Sequence, residues 1–152
     1  MSNKFAELGY LKPDKRVWHT LIGVHVPPSN PRPVRLELRS SGRINGEYTS
    51  AVFKLNRERE QEGAPGTVDG LEAADKKQLQ IFARHAVVNW DEVKDASGKP
   101  MPFNAADCED LLVTISIEQK RPDLVGPALY RAADQSNFDV EPAASAESLG
   151  NS

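Results

Sequence analysis

The sequence predicts a small α+β domain, mainly helical with about four helices, an N-terminal β-hairpin and a disordered C-terminal tail. Three observations carry that prediction. Val34-Arg-Leu-Glu-Leu38 alternates apolar and charged residues at period two, as a strand with one solvated face does. Tyr48, Ala51, Val52 and Leu55, and later Leu79, Phe82, Ala83 and Ala86, fall at the i, i+3, i+4, i+7 spacing of helices with one apolar face. Beyond Asp139 the chain turns small, polar and Ser/Ala-rich, a composition with too little apolar surface to order itself.

Residues 1–15 read as a polar arm broken by Gly9 and Pro13, residues 16–138 as one domain, and residues 139–152 as the tail. Within the domain, 16–26 is rich in β-branched and aromatic types, which predicts a strand or a bent pair near Gly23. Pro27, Pro28, Pro31 and Pro33 then remove backbone donors, so the link to Val34–Leu38 is an extended connection or edge loop. An isolated hairpin of this kind is marginal in water and must lean on helices or on a partner chain.

Asn45 is the candidate cap of a first helix over 45–61, closed by the charged run Arg57-Glu-Arg-Glu60. After a loop marked by Gly63, Pro65, Gly66 and Gly70, a second helix is expected to carry Leu79, Phe82, Ala83, Ala86 and Trp90 on one face. Asp95-Ala-Ser-Gly98 supplies a chain reversal, Pro100 and Pro102 hold Lys99 and Met101 extended, and Trp90 and Phe103 can pack across the connection. Asn104, with Asp107 three residues on, caps a third helix that lines up Cys108, Leu111, Leu112 and Ile115. Val113–Ile117 is read as the end of that helix, although its propensity equally suits a strand. A fourth helix is expected with Gly126 as cap, Pro127 as first helical residue, a staple between Val125 and Tyr130, and Leu129, Ala132 and Ala133 inward to about Phe138.

Composition narrows the function classes. A net charge of -3, from 19 basic and 22 acidic residues, argues against a nucleic-acid binder, which needs a basic face against phosphate. No apolar run approaches the roughly 18 residues of a membrane span, and the first residues lack a secretory apolar segment, so a cytosolic product is expected. His19, His25 and His85 stand in no metal-ligand spacing, and Gly98-Lys99-Pro100 and the other Gly-rich stretches lack the P-loop order. Cys108 is followed at once by Glu109 and Asp110, which raise a thiol pKa and disfavour a nucleophile. The expectation is therefore no catalytic residue, no cofactor, no metal and no enzyme activity, and a surface that binds other chains.

The string Val88-Asn-Trp90-Asp-Glu-Val93-Lys-Asp95-Ala-Ser-Gly98-Lys-Pro100-Met-Pro102-Phe103-Asn104, followed by an acidic helix with Leu111-Leu112, resembles the tail assembly chaperones of long-tailed, siphovirus-like bacteriophages. Members of that group carry a Trp, a turn of the form Asp-x-Asp-Gly-Lys-Pro-x-Pro-Phe and a helix with paired leucines; Ser97 and Asn89 depart from the usual types. The likeness is best over residues 79–138 and loose in the first third. It implies a chaperone that binds the tape measure protein, keeps it soluble during tail morphogenesis and helps recruit the tail tube protein, with self-association left open. A structural virion protein, in the tail or the head-tail joint, is the alternative reading. Trp90, Gly98, Pro100 and Phe103 are assigned to the structural turn, and Leu36, Tyr48, Val52 and Leu55 to partner contact.

Overall fold

The computed structural model describes residues 15–62, 66 and 68–139, so nearly all of the predicted arm and of the predicted tail lies outside the described residues. Strands β1 (Val17–Thr20), β2 (Arg35–Leu38) and β3 (Val87–Asp91) form an antiparallel sheet in the order β1-β2-β3. Four α-helices accompany it: α1 (Gly46–Glu62), α2 (Val68–His85), α3 (Ala105–Val113) and α4 (Pro122–Ala133). The architecture is α+β, an antiparallel sheet with helices gathered on one face.

The period-two pattern of β2 decides which face that is. Leu36 and Leu38 turn inward and are fully buried with Leu21, Val34, Phe82, Cys108 and Leu112, while Arg35 and Glu37 face out. On the outer face Arg35 lies over the Trp18 ring at 4.7 Å and reaches the Asp91 carboxylate at 3.2 Å, so all three strands are joined there as well. Each buried leucine contributes about 2 kcal/mol by leaving water.

Helix α1 begins where Asn45 places it. The Asn45 Oδ1 accepts from the Tyr48 N–H at 3.1 Å, and its Nδ2 donates to the carbonyls of Ser40 at 2.8 Å and His85 at 2.7 Å. One fully buried side chain thus caps the start of α1 and takes up a carbonyl at the end of α2. The second helix does not continue to Trp90 as its spacing suggested. Ala86 donates to Phe82 as the last helical bond, and its own carbonyl accepts from the Arg39 N–H at 2.7 Å, which starts the pairing with β2. Val87–Asp91 is therefore a strand, with an irregularity between Glu37 and Leu38 that leaves Val88 as an extra residue.

Downstream, Val113–Ile117 stays helical, widened into a π turn over Thr114–Glu118 in which the Gln119 N–H donates to the Thr114 carbonyl at 2.8 Å. The expected start of the fourth helix is corrected: α4 begins at Pro122, and Pro127 lies inside it. Tyr130 is 81% exposed, so it forms no staple with the buried Val125; Ala128 and Ala132 face the core, and Ala133 does not. The helix stops at Ala133, and a 3-10 turn over Gln135–Asn137 brings the fully buried Phe138 back to the interior.

The proline-rich link is held by side-chain bonds. Buried Asn30 donates through Nδ2 to the carbonyls of Val26 at 3.3 Å and Glu92 at 3.1 Å, and Oδ1 accepts from the Arg32 N–H at 3.1 Å. Val26 also forms a bridge with Val93, so the link lies against the segment that follows β3.

Candidate functional site

The sequence singled out two regions, and they have different fates in the fold. The first is the turn from Trp90 to Phe103. The Trp90 indole N–H donates to the Met101 carbonyl at 2.8 Å, and the Trp90 and Phe103 rings meet edge to face at 5.4 Å and 88°. Between them Asp95 organises the reversal: its Oδ1 accepts from the Ser97 N–H and hydroxyl and from the Lys99 N–H, at 2.6 to 3.0 Å. Gly98 has φ +87°, which a residue without Cβ adopts freely, and Lys94 and Pro100 bridge across the turn. Hydrogen bonds from the Ser97 hydroxyl and then the Lys99 backbone hold the Asp95 carboxyl below the ordinary range, against a smaller opposing effect of burial. Asn104 then caps α3, accepting from the Asp107 N–H at 2.8 Å.

Glu92, with φ +62°, anchors the other side of this elbow. Burial opposes its ionisation, but the hydrogen bond and charge of Lys94, with Asn30 and Arg32 beside it, outweigh that and hold its carboxyl below the usual value. The elbow is thus a fixed structure tied to the proline link.

The second region is the proposed contact set. Leu36 is fully buried beneath the helices and Tyr48 is buried where α1 packs, so a partner reaches neither without opening the core, whereas Leu55, nearly buried, lies at the bottom of a surface groove. Leu36 and Tyr48 thus present no open contact surface. Val52 is half-buried against the same cluster. The exposed apolar residue of α1 is Phe53, 64% accessible, which the helical spacing passed over because it lies off the apolar stripe. What the first helix does present is a groove of about 410 Å³ shared with α2. Ala51, Leu55 and Ile81 form its apolar floor, and Lys54, Lys77 and Arg84 stand exposed along it. A second cleft of about 510 Å³ lies between the Gly23–Pro28 link and the π turn.

The reactive groups are dispersed. Cys108 is fully buried, and burial, followed by the nearby Glu109 charge, pushes its thiol up to about 12, so it stays protonated at neutral pH. His19 is lowered by burial and by Arg131. No cluster of three or more His, Cys, Asp or Glu side chains suited to a metal forms among the described residues, and no helix there is long and apolar enough to cross a membrane.

Fold and comparison together define the class as a phage-derived α+β protein. The chain belongs to the YdaY prophage protein family, whose model matches residues 43–148, well over half of its length. That span takes in the four helices and β3 and begins after the β1–β2 hairpin. No curated protein and no solved structure matches the chain.

Proposed function

We propose that this phage-derived chain is a tail assembly chaperone, which covers the tape measure protein and keeps it soluble while the tail is built. The observation that carries the reading is the Val88–Asn104 string, whose likeness to tail assembly chaperones falls on one continuous strand, turn and helix cap closed by Trp90 and Phe103. A tape measure is long, helical and apolar along its stripes, so it aggregates unless another surface shields it, and the shield must leave when tube subunits arrive. The α1–α2 groove, with Phe53 beside it, offers apolar surface edged by charge for that purpose. On this reading the protein acts in the host cytoplasm by binding alone, without catalysis, and leaves before the particle is complete.

Coexpression with the phage's own tape measure protein tests this. The expected result is a tape measure that is soluble and copurifies only when the chain is present, and a chain absent from purified virions by mass spectrometry. Stoichiometric presence in virions would instead favour a structural tail or joining protein. That second reading has its own support in β1, an edge strand paired only with β2 among the described residues and open to extension by another chain.

A further inference from the structure

We infer that the groove between α1 and α2 seats an acidic amphipathic helix of a partner protein. Its shape is that of a helix cradle. Ala51, Lys54, Leu55 and Glu58 follow one face of α1, and Lys77, Ile81 and Arg84 follow the facing side of α2. The Ala51–Glu58 wall extends about 11 Å at 1.5 Å per residue, enough for two turns of a guest helix with anchors at i, i+3, i+4 and i+7.

Charge selects the guest. Lys54 and Lys77 are exposed on opposite walls, and neither forms an ion pair among the described residues. Arg84 adds a third cation, only loosely held by Glu109 at 3.5 Å, and Glu58 is the one acid of the lining. This positive rim stands on a chain whose net charge is -3, so it runs against the overall balance. On the neighbouring face of α1, Phe53 and Arg57 repeat the pairing of apolar surface with positive charge. A helix carrying an apolar stripe flanked by Glu or Asp would fill the floor and neutralise both lysines, whereas a nucleic acid would meet the lysines and leave the floor unfilled. Assigning that helix to the tape measure protein rests on the chaperone reading; the groove's preference for it does not.

The test is titration calorimetry of the full chain with two synthetic helical peptides sharing one leucine stripe, one flanked by Glu and the other by Lys. The wild type is expected to bind the Glu peptide. Lys54→Glu/Lys77→Glu should weaken that binding by at least about tenfold and create affinity for the Lys peptide. Lys54→Gln/Lys77→Gln, a milder change, should give an intermediate loss and guards against misfolding of the reversal. Equal binding of the Glu peptide by wild type and both variants overturns the inference, as does failure of the wild type to bind either peptide. Tighter binding of a single-stranded oligonucleotide, lost in the same variants, also overturns it. Glu-peptide binding without copurification of the tape measure supports the groove and sinks the chaperone reading. Copurification untouched by the charge reversal, with no peptide binding, does the opposite.

Discussion

The side-chain amide of Asn45 donates to the carbonyl oxygen of His85 at 2.7 Å, joining the first turn of α1 to the last turn of α2 across 40 residues of chain. A second donation, to Ser40, ties the end of β2 to the same point. Asn45→Asp removes both donors and sets a carboxylate against two buried carbonyls, so a loss of about 3 kcal/mol or more is expected. Asn45→Ser also keeps a capping acceptor but brings no charge, and should lose less. Urea denaturation of the two variants measures the difference, and equal losses would show that the buried charge adds nothing to the two lost donations.

The contact of Trp90 with Phe103 and Met101 separates into two effects. Trp90→Phe keeps an aromatic ring but strands the Met101 carbonyl, at a cost of about 1 kcal/mol. Phe103→Ala removes a half-buried ring, costing about 2 kcal/mol. The edge-to-face geometry predicts a coupling of about 0.5–1.5 kcal/mol between the pair. A cycle built on Trp90→Leu and Phe103→Leu, read by thermal unfolding, should show it; strict additivity would remove the coupling.

Gly98→Ala puts a Cβ on a residue at φ +87°. Since that Cβ meets nothing within 4 Å, the expected loss of about 1–2 kcal/mol is conformational alone. An alanine variant as stable as the wild type would mean that the turn readily adopts another geometry.

Acid should loosen the elbow. Asp95 has a folded pKa below its unfolded value, so its stabilisation is complete above about pH 4 and is lost as pH falls through the lower folded value. Glu92 acts in the same direction. The urea midpoint should therefore fall as the pH drops below about 4, less steeply in Asp95→Asn than in the wild type. Parallel curves would contradict the role given to Asp95.

Alkali acts through Cys108. Its folded pKa is raised to about 12, so the stabilisation is full below the unfolded value and declines as pH rises above it. A slope approaching about 1.4 kcal/mol per pH unit is expected between pH 9 and 12, and Cys108→Ala should abolish that part of it. A disulfide reagent should modify the native thiol far more slowly than the unfolded one; equal rates would contradict its burial.

Much of this arrangement is local and was legible in the residues. Asn45 and Asn104 cap the helices they precede, and Val34–Leu38 alternates as its strand requires. The third strand was hidden by the irregularity at Val88. With one extra residue, Val87 and Trp90 both face inward three positions apart, a spacing that copies a helix and continues the phase of Leu79, Phe82 and Ala86. Only pairing with β2, a distant segment, distinguishes the two. Pro127 misled for a related reason: proline suits a helix start, and Pro122 already occupied that place. The groove was invisible because it belongs to two helices together. Lys54 and Lys77 meet across it only after the intervening loop has turned the chain.

The central position of β2 bears on how the molecule is made. Arg35 finds Asp91 only 56 residues later, so as the polypeptide leaves the ribosome one flank of β2 has no neighbour until both long helices have been translated. During that interval the nascent hairpin is a template for mispairing with other chains, and the yield of native protein should depend on how quickly synthesis passes Asp91.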